Sequence, residues 1–490
     1  MIFPNLKEIK EITNDGNYKR IPIAYEIFAD TKTSVEILKI IKNKTKHCFL
    51  LESVENSKVW GRYTILGFDP ILEVVCENGL LKISGEKEIT AETKNPGDYI
   101  REIIKEYESP EIEGLPPFTG GLVGYFAYNY IKYGEPSLDL ESKDYESFKD
   151  VDLMLFEKVI VFDNFKQKIF LIVNIKLDDL EKEYIEGEKK LKELVNLIKT
   201  GNIAKEDKLI IKNEFKPLFN QETFEGMVEK CKNYIKEGDI FQVVISNPIS
   251  ADIEGSLLDT YRVLRTTNPS PYMFYFSSDD LEIAGASPET LVKVQDNTLY
   301  SFPLAGTRPR GKTPQEDMEL EEDLLNDEKE LAEHNMLVDL GRNDVGRVSE
   351  IGSVKVDKYL SVEKFSHVMH LGSTVTGTLR EDKDNLDVID AILPAGTLSG
   401  APKIRACEII NELEKNKRGI YGGAIGYIGL SGNMDMCIAI RIAFKKNGKV
   451  FIRSGAGIVA DSKPEAEFQE CLNKAEAVLN ALKIAEKGIE

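Results

Sequence analysis

The chain has 490 residues, 42% of them hydrophobic, and a formal net charge of −20 from 63 basic and 83 acidic side chains. That length allows two or more domains around a substantial core, and the composition excludes a disordered chain. The acidity argues against nucleic acid as the main partner, and with no run of about 18 apolar residues no spanning helix is expected.

The N-terminal segment MIFPNLKEIKEITNDGNYKR lacks an apolar signal core. Six cysteines (Cys48, Cys76, Cys231, Cys407, Cys437 and Cys471) are scattered without a Cys-x-x-Cys pair, and there are only four histidines. This suits a reducing cytoplasm and gives neither a disulfide framework nor a histidine-rich metal site.

Residues 1–175 mix apolar alternation with turn signals, as in GRYTILGFDPILEVV (61–75) and LMLFEKVIVFD (153–163). FTGGLVGYFAYNY (118–130) reads as a tight turn feeding a strand or buried segment. In 176–200 the positions Leu177, Leu180, Tyr184, Leu191, Leu194, Val195 and Ile198 approximate helical spacing, broken by Gly187. The charged stretch 199–216 is the best boundary. The chain therefore divides into 1–175, a helical and charged connection at 176–218, and a glycine-rich C-terminal portion at 219–485. No repeat of fixed period, Rossmann fingerprint or Walker loop is present. An α+β arrangement of antiparallel sheets with helices outside is expected, not a doubly wound parallel sheet.

The C-terminal portion carries the chemistry. PLAGTRPRG (303–311) reads as a turn with Gly306 and Thr307 at its centre and Arg308 and Arg310 beyond. DEKELAEHNMLVDLGRND (327–344) reads as a helix with a buried stripe of Leu331, His334, Leu337, Val338 and Leu340, flanked by Glu330 and Glu333. His334 reads as a packed group. In HVMHLGSTVTG (367–377), His370 is the preferred general acid/base, with His367 as competitor. PAGTLSGAPK (394–403) places Thr397 among small residues before a helix start near Pro402 and Lys403, where a turn can bond an oxygen.

Alternation in MDMCIAIRIAF (434–444) predicts one strand with Cys437, Ala439, Arg441 and Ala443 on one face. An arginine among small residues has room for bidentate capture of a carboxylate, although an ordinary exposed sheet face reads equally well. VFIRSGAGIVA (450–460) predicts a strand whose Gly455 and Gly457 either expose backbone N–H groups to an anion or mark a bulge or close packing. Pro464 opens a second helix carrying Glu467 and Glu470. Each Glu-x-x-Glu pair lies on one helix face, and four carboxylates converging in a cleft repel unless a cation sits among them. All-oxygen ligands suit a hard ion, most simply Mg²⁺, although such pairs taken singly are more often solvated surface.

Together these motifs resemble the chorismate-utilising enzymes, specifically the large subunits of anthranilate synthase. The resemblance rests on LLES (50–53), GDIFQVVIS (238–246), NPSPYMF (268–274), GASPETLV (285–292), PLAGTRPRG, LAEHNMLVDLGRND (331–344), HVMHL (367–371), PAGTLSGAPK, YGGAIGY (421–427), CIAIR (437–441) and GAGIVADSKPEAEFQE (455–470). It spans nearly the whole chain and is thinner before residue 120. It implies two facing antiparallel sheets with helices packed outside, built jointly by the N- and C-terminal portions. The implied reaction turns chorismate and ammonia into anthranilate and pyruvate. By this resemblance Glu333 and Glu470 are Mg²⁺ ligands, with Glu330 and Glu467 completing the acidic site. Gly306 and Thr307 contact chorismate, and Tyr421, Arg441 and the Gly455–Ala456–Gly457 backbone grip the enolpyruvyl carboxylate. His370 is the acid/base histidine, and Thr397 lies near the departing groups.

Two positions separate the sister enzymes. Aminodeoxychorismate synthases, the alternative reading, carry a nucleophilic lysine where this chain has Ala305. Isochorismate and salicylate synthases carry a water-activating lysine where this chain has Gln242, and a neutral amide is a poor base. The resemblance further implies a glutamine amidotransferase subunit as ammonia source. It also implies a tryptophan inhibitor site around Ser53, Pro271, Tyr272 and Met273. Gly341, Gly372 and Thr374 depart mildly from the family pattern.

Overall fold

The computed structural model describes residues 2–16, 18–53, 61–145, 147–364 and 368–489. Two large sheets dominate it, and every pairing between their strands is antiparallel among the described residues. In the first sheet, strands Arg20–Phe28, Lys168–Lys176, Lys158–Asp163, Tyr63–Phe68 and Cys48–Glu52 continue into Tyr272–Ser277, Leu281–Ser287, Ile442–Lys446, Lys449–Ile458 and Gln242–Glu254. The seam is the pair Cys48–Glu52 and Tyr272–Ser277, with Leu51 opposite Phe274. In the second sheet, Leu304–Pro309, Val368–Thr378, Thr298–Ser301, Thr290–Gln295, Met434–Ile438 and Ala424–Gly429 continue into Gly121–Phe126, Val151–Phe156 and Leu72–Glu77. The N- and C-terminal portions thus build both sheets together, in the α+β fold that the motifs imply.

Alternation sets the layers. Phe274 and Phe276 face a cluster shared by both sheets, with Phe49, Tyr125, Phe156, Ile425 and Phe444. Met273 and Tyr275, offset by one, face the opposite layer, where helices supply Leu191, Leu194, Val478 and Leu482. Because both faces are covered, strands such as Leu281–Ser287 are buried along their whole length and show little polar alternation.

Three expectations are corrected. The helix Leu180–Thr200 is not broken at Gly187. A Cβ at Gly187 would come within 2.6 Å of Ile23 Cδ1 and 2.7 Å of Ile175 Cγ2, so the glycine lets the helix lie close on the sheet. The segment 303–311 is not a free turn. Leu304–Pro309 is a strand paired with Val368–Thr378, its register shifted between Ala305 and Thr307, and Gly306 takes φ +63° at the irregularity.

The third correction concerns 434–444, which is two strands in two sheets. Met434–Ile438 pairs in the second sheet and Ile442–Lys446 in the first. Between them Ile440 N–H donates to Ile438 O at 2.9 Å, and Arg441 adopts φ 52°, a left-handed conformation uncommon for a side chain of its size. Met436 and Ile438 enter one core layer and Ile442 and Phe444 another. Period-two alternation does not register a strand that changes sheet.

Adding side-chain volume against a packed sheet costs about 1–3 kcal/mol, against roughly 1 kcal/mol gained by replacing a helical glycine. Gly187→Leu is therefore expected to lower the denaturant midpoint of unfolding. An unchanged or raised midpoint would show that the helix can stand off the sheet freely.

Candidate functional site

A cavity of about 740 Å³ opens between the strands that carry these motifs and the two helices with paired glutamates. One wall is the strand pair Gln242–Glu254 and Lys449–Ile458, in continuous register with Gly455 opposite Ser246 and Gly457 opposite Val244. A Cβ at Gly455 would lie 2.6 Å from Ile245 O and 3.1 Å from the Tyr421 hydroxyl. At Gly457 it would lie 2.9 Å from Gln242 Nε2. The glycines therefore serve close approach and not a bulge. Ala456, between them, turns its methyl into the core with Ile245 and Ile458 and does not line the cavity.

Behind this wall, Glu414 is fully buried between two arginines. Arg418 Nη2 donates to its Oε1 at 2.6 Å, Arg453 Nη2 to its Oε2 at 2.5 Å, and Ser246 N–H to its Oε1 at 2.8 Å. Both arginines hold Glu414 below the usual carboxylate range despite burial. Arg441 differs. It lines the cavity half-buried, and among the described residues no carboxylate pairs with it. Burial pulls its guanidinium down from the ordinary value, opposed only by Tyr421. A guanidinium beside bare backbone has the chemistry to receive a carboxylate.

His370, on strand Val368–Thr378, places Nδ1 2.9 Å from Gly306 O and 3.1 Å from Thr307 Oγ1. Since Gly306 O can only accept, Nδ1 carries the proton. Desolvation lowers the pKa of His370, as does Arg441 more weakly, against the bond to Gly306 O. The imidazole is therefore neutral near pH 7. The bulge at Gly306 thus fixes the tautomer of His370. His367 lies outside the described residues, and His334 is a core group, buried with Nε2 2.7 Å from Ser373 Oγ.

Thr397 sits in the turn Gly396–Leu398 and donates to Glu289 Oε1 at 2.8 Å. Desolvation pushes Glu289 up to about 7, against the opposing bond from Thr397 and the charge of Lys474. Glu289 lines the cavity and is a titratable acid beside the predicted site. Sequence reasoning did not single it out, although it lies inside GASPETLV. No periodicity or spacing marks one glutamate between two strand-like runs.

Glu330 and Glu333 lie on the helix Glu328–Gly346, whose N-cap Asp327 accepts from the N–H of Lys329 and Glu330. Glu467 and Glu470 lie on the helix Pro464–Lys487, which has proline in its first turn. All four line the cavity. Burial raises Glu333, with Glu330 and Glu470 adding repulsion, and burial raises Glu467, with Glu470 adding to it. Lys474 Nζ lies 2.6 Å from Glu470 Oε1 and tempers that charge. Among the described residues no three carboxylate, histidine or cysteine groups are gathered as a ready-made ion cage. The donor set still fits Mg²⁺, which takes one or two carboxylates and keeps water or substrate oxygens.

A second, tighter cavity of about 110 Å³ is lined by all four residues expected around an inhibitor, Ser53, Pro271, Tyr272 and Met273. Lys293, Tyr427, Asp435 and Cys437 complete its far side. Glu52 closes one edge and receives the Tyr261 hydroxyl and Arg265 Nε, the latter at 2.6 Å.

Residues 46–480 match the family of chorismate binding enzymes. Anthranilate synthase component 1 of Aquifex aeolicus is 44% identical over 99% of both chains, and that of Acetivibrio thermocellus is equally similar, also over 99% of both. The crystal structure of anthranilate synthase component I from Streptococcus pneumoniae superimposes with a TM-score of 0.76 at 39% identity, covering 92% of this chain and 98% of that one. The menaquinone-specific isochorismate synthase MenF of Escherichia coli shares the fold, with a TM-score of 0.70 at 18% identity. The chain thus belongs to the chorismate binding enzymes, in the anthranilate synthase component 1 family.

Proposed function

We propose that this protein makes anthranilate, pyruvate and water from chorismate and ammonia, with the ammonia delivered from glutamine by an amidotransferase subunit. The observation that carries this reading is the lining of the large cavity. Arg441 and the Gly455–Gly457 backbone line the same cavity as four carboxylates, His370 and the Thr397–Glu289 pair.

In this reading the enolpyruvyl carboxylate binds Arg441, Tyr421 and the bare backbone. Glu333 and Glu470, with Glu330 and Glu467, would hold Mg²⁺. When bound, that ion supplies positive charge for the ring carboxylate. Ammonia adds at ring carbon 2 while the hydroxyl at carbon 4 leaves. Protonated Glu289, oriented by Thr397, gives that hydroxyl its proton, so it departs as water. Neutral His370 then takes the proton from carbon 2 as the carbon–oxygen bond to the enolpyruvyl group breaks and the ring becomes aromatic. The departing enolpyruvate takes up a proton at its methylene carbon to become pyruvate, balanced by the proton that the added ammonia gives up. Ala305 offers no nucleophile and Gln242 no base for water. Gln242 thus favours ammonia over water as the attacking group, and Ala305 disfavours the aminodeoxychorismate alternative. The second cavity takes tryptophan as feedback inhibitor.

Three measurements test this. Purified protein with chorismate, Mg²⁺ and ammonium at alkaline pH should form fluorescent anthranilate, and glutamine should serve only once an amidotransferase subunit is added. Isochorismate or 4-amino-4-deoxychorismate as the product would overturn the assignment. Glu333→Gln should weaken Mg²⁺ binding, read by calorimetry, by at least about tenfold, since even outer-shell changes cost 10–100-fold, and turnover should fall with it. Unaltered Mg²⁺ affinity would remove Glu333 from the ion site. Infrared difference spectra of the protein without substrate should show two carboxyls ionising near 7, Glu289 and the buried Asp152, neutral below and charged above, and Glu289→Gln should abolish one band. If both bands persist in the variant, the proton donor is another group.

A further inference from the structure

Neighbouring strands link the two cavities. Leu281–Ser287 pairs with Tyr272–Ser277, and the chain then passes through Pro288 and Glu289, which line the large cavity, into the strand Thr290–Gln295. Tyr272 lies in the lining of the small cavity. Its hydroxyl donates to Asp435 Oδ1 at 2.8 Å and lies 3.0 Å from Thr290 Oγ1. A phenol has one proton, so Thr290 is the donor in the second bond. The result is a directed chain from Thr290 through Tyr272 to Asp435, crossing three strands.

Each end of the chain belongs to a segment that lines the large cavity elsewhere, at Glu289 and at Arg441. Thr290 directly follows Glu289, whose carbonyl accepts from Ile438 N–H at 3.0 Å. Thr290 also pairs with Cys437 at a register shift that separates it from Val292, an irregularity that sets how the preceding residues are aimed. Asp435 and Cys437 line the small cavity and belong to the strand Met434–Ile438, which leads into the left-handed turn at Arg441. The hydroxyl chain thus ties the small cavity's wall to both the acid Glu289 and the carboxylate receptor Arg441.

We propose that the Thr290–Tyr272–Asp435 chain couples the two cavities, with Thr290 as a positioning residue that passes occupancy of the small cavity to Glu289. This rests on the reading that the small cavity takes tryptophan. A ligand there packs on Tyr272 and Asp435, shifts the phenol, and moves the start of the Thr290–Gln295 strand. A chain of packed side chains with two arrangements can carry such coupling, and coupling in binding must be reciprocal.

The test measures tryptophan affinity by calorimetry with and without chorismate, in Mg²⁺ but without ammonium, so that no turnover occurs. In the unaltered protein chorismate should weaken tryptophan binding by a factor in the usual allosteric range of about 5–150. In Thr290→Val, which keeps the side-chain shape and removes the donor, tryptophan should still bind, but its affinity should no longer respond to chorismate. Inhibition of anthranilate formation should weaken in parallel, while turnover with ammonium persists. Thr290→Ser should restore the response, which separates a hydroxyl effect from loss of packing, and Tyr272→Phe should break the chain from its middle. Undiminished coupling in Thr290→Val with tryptophan binding intact overturns the proposal alone. Absence of tryptophan binding to the unaltered protein overturns the reading of the small cavity, and the coupling with it.

Discussion

The passage of one segment from the second sheet to the first, through Ala439 to Arg441, is the constraint on which the geometry of the large cavity depends. Two sheets packed face to face are each satisfied within their own hydrogen-bond ladders, and a strand that crosses between them must break its ladder in the middle. The break falls at Arg441, with φ 52°, and is held by Ala439 N–H donating to Gly423 O at 2.8 Å and by the pairing of the strands on either side. A non-glycine residue in that region costs on the order of 1–3 kcal/mol and persists where its surroundings over-determine it. The return is placement. An arginine that a continuous strand would have given to a sheet face instead lines the cavity beside Tyr421 and Gly455.

Charge divides the protein's arginines into two kinds. Arg418 and Arg453 enclose Glu414, and breaking such a buried set by removing one member typically costs about 3–5 kcal/mol. They hold the backbone of strand Gln242–Glu254, through Ser246, against the turn at Leu398 and the strand Lys449–Ile458. Arg441 lines the cavity with no carboxylate paired to it among the described residues. The carboxylates divide in the same way. Asp317, bonded by Arg310, lies below its ordinary value, whereas Glu333 and Glu467 are raised. Partly desolvated groups of this kind inside a cavity are candidates for binding and catalysis.

Glu289 shows what such desolvation costs. A rise from the ordinary 4.5 to about 7 corresponds to about 3 kcal/mol at 1.36 kcal/mol per unit. Proton binding sets the sign. Between 4.5 and 7 the folded protein holds a proton that the unfolded chain has released, so stability falls as pH rises through that window. Below it the group is neutral in both states and costs nothing. The protein thus gives up stability near neutrality to keep an uncharged acid beside Thr397.

The sequence by itself determined the local elements whose period matches one surface: the helices that put Glu330 beside Glu333 and Glu467 beside Glu470, the strand that bares Gly455 and Gly457, and the motifs that name the family. Side chains repeating every three to four residues, or every two, record which face is buried, and that record is local. Tertiary structure alone decided the rest. It showed that Gly187 sits inside a helix because the sheet beneath leaves no room for a Cβ, and that 434–444 serves two sheets. It showed that Gly306 marks a bulge steering His370, and that Ala456 points away from its glycine neighbours. It also raised Glu289 from one glutamate among many to an acid near neutrality. Those properties depend on what residues distant in the chain bring to the same few ångströms, and a one-dimensional pattern contains no term for that proximity.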